Sequence, residues 1–225
     1  MASLLDGIVA VVTGASDRGI GPGLAAGLVD EGATVFATGG FSSRDDATRA
    51  FASVVDAQGH LDLVVHAHVD PDVFALAKLS ETDEPAWERR CELLLREALW
   101  VAQGAYTAFG NRGGHLVFVT PTVGMSGAIG LTPYASAVEA VRALAKSAAR
   151  QWGGSGIRVN CVAPPVEAVA PDRGLAGPWL APVALGRATD ARRDVAPAVA
   201  LLTAPAAHFV TGTTLVVDGG IVMVP

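Results

Sequence analysis

Five consecutive apolar residues, Ile8-Val9-Ala10-Val11-Val12, narrow what this chain can become. A strand wetted on one face alternates apolar and polar residues. An unbroken run predicts a strand covered on both faces, as in a parallel sheet wrapped by helices. Leu61 to Val65, apolar but for Asp62, and Leu116 to Val119 read the same way, with helical stretches between them. The 225 residues are 51% hydrophobic, enough for one domain with a sizeable core. No apolar run approaches the roughly eighteen residues of a membrane span, so the apolar excess belongs to the covered sheet or to a subunit interface. A net charge of −6 with no basic cluster argues against nucleic acid and anionic membranes as partners. Cys91 and Cys161 fall in a predicted helix and a predicted strand. They have no metal-ligand spacing and read as buried thiols of a reducing compartment. The first residues, Met-Ala-Ser-Leu-Leu-Asp, lack the pattern of a signal peptide. The expectation is a cytoplasmic protein without a metal site.

The first strand runs into Thr13-Gly14-Ala15-Ser16-Asp17-Arg18-Gly19-Ile20-Gly21, then a helix from about Gly23 to Glu31, then a second strand, Thr34 to Thr38. Strand, Gly-rich turn, helix and strand form a dinucleotide-binding opening. Glycines there let backbone N–H groups approach a pyrophosphate at a helix N-terminus. Gly14, Arg18, Gly19 and Gly21 are the candidate cofactor residues. Asp17 places a carboxylate close to the same position, where like charges oppose each other, and Arg18 offsets it. The second strand ends at Gly39-Gly40, with neither an acid for a ribose 2′-hydroxyl nor an arginine for a 2′-phosphate. A helix capped by serine or aspartate runs on to about Asp56, and the next strand starts at Leu61. No residues are left between them for a further helix and strand.

Thr120 to Lys146 follows the strand ending at Val119: a glycine-punctuated loop, then an Ala-rich helix from near Pro133 with Tyr134 on its first turn. This segment resembles the active-site region of the short-chain dehydrogenase/reductase family. Gly156-Ile157-Arg158-Val159-Asn160-Cys161-Val162-Ala163-Pro164 is similar to the family's sixth strand, and Leu215 to Gly220 to its last strand and end. A Pro-rich loop, Pro165 to about Pro182, stands where the family carries its substrate loop. Asp17-Arg18 before Gly-Ile-Gly is similar to the enoyl-reductase branch. The resemblance covers almost the whole chain. It implies one α/β domain over 1–225, a Rossmann-like doubly wound parallel sheet of six strands. The family's usual third strand and its preceding helix are missing, giving the order 2-1-4-5-6-7 in family numbering.

The resemblance also implies a site, and the chain departs from it. The family's serine, thirteen residues before the tyrosine, is Pro121 here; its lysine, four residues after, is Val138; its helix asparagine is Leu94. Tyr134 is the remnant acid/base group. Pro121 has no hydroxyl for a substrate oxygen, and Val138 removes the charge that lowers a tyrosine pKa. A positioned acid/base group supplies roughly 10²–10⁴ in rate and an oxyanion donor roughly 10²–10³. The family's Asn-Asn-Ala-Gly has become His66-Ala67-His68-Val69. His66 and His68 read either as an acid/base pair beside the pocket or as hydrogen-bonded polar residues at a strand end.

Three functions compete. The first is a non-catalytic subunit completing an active enzyme of the family. Such partner subunits, for example in aminocoumarin β-hydroxytyrosine oxidation, belong to secondary metabolism. This reading puts NAD(P) in the partner, or only weakly bound here. Its contact would run through helices 87–109 and 133–152, with Leu93, Leu94, Trp100, Val101, Val138, Val141, Ala145 and Ala148 facing the partner. A homo-oligomer through the same helices is its simpler variant. The second is a divergent but active NAD(P) oxidoreductase using Tyr134 with His66 or His68. The third is a reaction without hydride, as in the family's halohydrin dehalogenases.

Overall fold

The computed structural model describes residues 3–16, 18–171 and 182–223. Six parallel strands form one sheet: β1 Val9–Thr13, β2 Thr34–Thr38, β3 Leu63–His66, β4 Gly114–Val119, β5 Ile157–Ala163 and β6 Thr214–Val216. Their order is β2-β1-β3-β4-β5-β6, as the apolar runs and right-handed crossovers predict. Residues 39–60 contain a helix and no strand, and among the described residues no further strand is paired beyond β2. The strands send successive side chains to opposite faces. Ala10, Val12, Leu63, Val65, Val117 and Val119 join a core with α1 (Gly21–Asp30) and α8 (Ala196–Thr203). Val9, Val11, Val64, Leu116, Phe118 and Val159 join another with α2 (Arg44–Gln58), α4 (Leu93–Phe109) and α6 (Thr132–Trp152). Both faces being dry is why β1, β3 and β4 read as apolar runs.

The helical stretch predicted from Trp87 starts earlier. A short helix α3, Glu84–Trp87, passes through one π-type turn, Glu88–Glu92, into α4. Two further short helices, α5 (Val123–Ser126) and α7 (Val166–Val169), flank the ends of β4 and β5. Residues 172–181 of the Pro-rich loop lie outside the described residues. The apolar faces assigned to a partner need correction. Val101, Val138, Val141, Ala145 and Ala148 are buried inside this chain's own core, because α4 and α6 lie directly on the sheet. On the outer surface α4 exposes Leu93, one of the residues so assigned, together with Leu99 and Tyr106. No helix among the described residues is long and apolar enough to cross a membrane.

Helix α2 is the element whose ends are most clearly written in sequence. Ser43 is extended and its Oγ accepts from Asp46 N at 3.1 Å, while Gly59 closes the helix at φ 81°. Ser43→Ala is expected to cost about 1 kcal/mol, seen as a melting point lower by roughly 2–4 °C. An unshifted melting curve would show that the cap contributes nothing.

Candidate active site

The strand ends β1 and β3 meet the N-terminus of α1 at a cleft of about 300 Å³, lined by Arg18, Gly19, Ile20, Ala67, Phe74 and Val169 among others. This is the crevice where open α/β sheets bind ligands. The turn after β1 gathers the predicted glycines: a Cβ on Gly21 would lie 2.2 Å from the Gly14 carbonyl oxygen. Part of the turn is already used by the protein. Ala15 N and Ser16 N donate to Thr38 O at 3.0 and 3.4 Å, and Pro22 leaves the first turn of α1 one N–H short. Asp17 lies outside the described residues.

The two histidines part company. His66 is buried and stacks edge-on against Phe118. Thr13 Oγ1 accepts from Ala67 N and His68 N at 3.1 and 3.2 Å and lies 2.8 Å from His66 Nδ1. With its acceptor sites taken, the threonine hydroxyl donates to Nδ1, so the proton of His66 sits on Nε2. Burial lowers its pKa to about 4, although Glu97 pulls the other way. His66 is thus a neutral fastening between β1 and β3, which removes it from the acid/base pair. His68 leaves the strand and pairs through Nδ1 with Glu97 Oε2 at 2.7 Å. Burial alone would raise the Glu97 pKa, but the hydrogen bond from His68 and the nearby His66 hold it below its usual value.

Tyr134 stands where predicted, on the first turn of α6, yet it is sealed. It is fully buried, with its ring edge-on to Phe74 at 5.1 Å. Among the described residues its hydroxyl has no hydrogen-bond partner. Burial drives its pKa far above the ordinary tyrosine value, and Arg142 offsets only part of this. Val138, one turn on, is buried in the same apolar cluster.

Arg142, two turns on, was not singled out from sequence. Its NH1 donates to Thr120 O at 2.6 Å and Thr120 Oγ1 at 2.8 Å, its NH2 to Pro121 O at 3.0 Å, and its Nε to Glu139 Oε1 at 2.6 Å. The helix spacing 134, 138, 142 was the available signal. The cation near the tyrosine is therefore committed to the backbone after β4, with Pro121 contributing its carbonyl in place of a side-chain hydroxyl. Leu94 is half-buried between the two cores. Among the described residues no group of three or more His, Cys, Asp or Glu is arranged to hold a metal. Both cysteines are buried and free.

A nicotinamide dinucleotide fits the α1 side of this sheet edge and not the β2 side, where a neighbouring cleft of about 280 Å³ is lined by Phe41, His68, Val69 and Glu97 among others. The α1 N-terminus and its glycines suit a pyrophosphate. At the end of β2, where an adenosine ribose belongs, the His68 ring lies against Gly40: a Cβ on Gly40 would be 2.2 Å from its Cε1.

A family model described as Enoyl-(Acyl carrier protein) reductase matches residues 38–222. The 3-oxoacyl-acyl-carrier-protein reductase FabG of Vibrio cholerae is 31% identical, over 98% of this chain and 99% of its own. That alignment is 249 positions long, so the relative carries residues this chain lacks. The cis-4-hydroxycyclohexanecarboxylate dehydrogenase of Sinomonas cyclohexanicum is 33% identical over 94% of this chain and 95% of its own. Among solved structures, a short-chain type dehydrogenase/reductase from Mycobacterium ulcerans superposes with TM-score 0.83 at 26% identity, covering 96% of this chain and 90% of that one. A blue fluorescent protein from a metagenomic library, in complex with NADPH, gives 0.81 at 25% identity, covering 98% and 100%.

Proposed function

We propose that this chain, which belongs to the short-chain dehydrogenase/reductase family, is a divergent oxidoreductase that reduces a carbonyl to a hydroxyl at the expense of NADH or NADPH. The observation that supports it is the whole-length match to relatives named as reductases and dehydrogenases, together with a tyrosine kept behind a cleft at the C-terminal ends of the strands. NAD(P)H would supply the hydride. The chain's own part is the proton. A phenol whose pKa lies far above neutrality stays protonated, so Tyr134 suits donation to a forming alkoxide and not abstraction from an alcohol. Phe74 packs edge-on against its ring and the hydroxyl is buried, so substrate reaches it only after local rearrangement.

A second reading is favoured by one observation. Among the described residues the Tyr134 hydroxyl is buried without a hydrogen-bond partner, beside Val138, and Arg142, the cation that acts on it, is bound to the backbone after β4. That is the state expected of the non-catalytic half of a hetero-oligomer, in which an active family member supplies the chemistry. One experiment separates the two. The purified chain is assayed for NADH and NADPH oxidation with 3-oxoacyl thioesters and cyclic ketones, alone and after co-expression with any family member encoded beside it. Turnover by the chain alone, above that of Tyr134→Phe, supports the oxidoreductase. Turnover only with a co-eluting neighbour, unaffected by Tyr134→Phe, overturns it in favour of the subunit.

A further inference from the structure

β2 ends at Thr38, and the chain continues through Gly39, Gly40 and Phe41. In a fold of this kind a dinucleotide lays its pyrophosphate on the first helix and its adenosine ribose at the end of the second strand. Here the imidazole of His68 holds the second place. A Cβ built on Gly40 would come within 2.2 Å of Cε1, 2.4 Å of Nδ1 and 2.5 Å of Nε2. Three ring atoms at such distances mean that the ring lies close against the Gly40 backbone, which only glycine permits.

The ring is held from two sides. Its own backbone is fixed by β1: His68 N donates to Thr13 Oγ1 at 3.2 Å, and a Cβ on Gly14 would sit 2.7 Å from the His68 Cα. Glu97, reaching in from α4, takes Nδ1–H on Oε2 at 2.7 Å and Phe41 N–H on Oε1 at 2.8 Å. One carboxylate therefore ties the segment after β2 to the segment after β3, with the imidazole between them. The two side chains are only 20% and 11% exposed.

We infer that His68 and Glu97, which line the neighbouring cleft after β2, form a gate over the place of the adenosine and decide which nucleotides the chain accepts. The inference rests on the oxidoreductase reading in one respect, that the cleft's ligand is a nicotinamide nucleotide. A mononucleotide, with a phosphate but no adenosine, enters with the ring in place. A full dinucleotide enters only after the ring swings away from Gly40 and releases Glu97. A gate that stands open about one-tenth of the time weakens apparent dinucleotide affinity about tenfold.

The test is calorimetric titration of wild type, His68→Ala and Glu97→Gln with NADH and with reduced nicotinamide mononucleotide, after thermal melts confirm folding. His68→Ala is expected to bind NADH at least about tenfold more tightly than wild type while mononucleotide binding stays within about twofold. Glu97→Gln, which loosens the ring without emptying the space, should move NADH in the same direction by a smaller factor. It carries the test if His68→Ala does not fold. NADH binding that is unchanged or weakened in both variants overturns the gate and leaves the oxidoreductase reading standing. Failure of both nucleotides to bind any of the three proteins overturns both.

Discussion

Tyr134→Phe is expected to melt higher than the wild-type protein and to reduce carbonyl substrate at least about a hundredfold more slowly. The two effects share one cause. The phenol oxygen is buried and has no partner among the described residues, so folding strips it of water and returns nothing. An unsatisfied buried polar group costs about 1–3 kcal/mol, and replacement by an apolar group of the same shape removes that cost. The ring of phenylalanine keeps the contact with Phe74 and opens no cavity. For a domain of this size the gain corresponds to roughly 2–4 °C for each kcal/mol. Differential scanning fluorimetry and initial-rate assays check both halves. A lower melting point would mean that the hydroxyl has a partner in solution. An unchanged rate would move the proton donor to another residue.

Stability should fall as pH drops from about 6.5 towards 4, before most carboxylates titrate. His66 and His115 carry the argument, each held neutral by burial. His115 sits at the far end of the sheet from the cleft. Asn160 Oδ1 accepts from Thr213 N, which fixes the amide so that Nδ2 donates to His115 Nε2 at 3.0 Å. Thr203 donates to Val199 O and so accepts from His115 Nδ1 at 3.0 Å. Neither ring has a place for a second proton. Both folded-state pKa values lie below the unfolded value, so the unfolded chain binds more protons and stability rises with pH across that window. The contribution is complete above about 6.5 and is lost as pH falls through the folded value, about 4 for His66. His66 alone accounts for on the order of 3 kcal/mol at 1.36 kcal/mol per unit, with His115 adding to it. Urea denaturation between pH 7.5 and 4.5 measures this. A flat profile would refute it, and substituting both histidines by glutamine should flatten the slope.

The sheet was legible because burial on both faces leaves a local mark, an unbroken apolar run. The missing unit was legible because the residues between Thr38 and Leu61 hold one helix and no more. The site was legible only as positions. Tyr134 and Val138 lie on α6, Leu94 on α4 and Pro121 just after β4. Nothing local shows that Phe74 seals the tyrosine or that Arg142 is engaged by the backbone after β4. His68 and Glu97 lie 29 residues apart, and side-chain pairing over that distance has no period. An acid at 8% exposure on an otherwise apolar helix face was the one hint, since buried acids need a partner. The faces of α4 and α6 were misassigned for a related reason. A helix stripe facing the core and one facing a partner have the same composition, and only packing against the sheet distinguishes Val141 from Leu99.

Among the described residues β2 pairs only with β1, so the sheet they form stops one strand beyond its first. Pairing registers elsewhere run strand to strand from β1 to β6, and none of them depends on what lies outside β2. A strand and helix can therefore be spliced in or out at this margin without resetting the interior, as they cannot be between β3 and β4. The same margin carries Gly40, against which the His68 ring lies, so the width of the sheet and the proposed gate meet at one place. A change of length there leaves the core that decides whether the chain folds as it was.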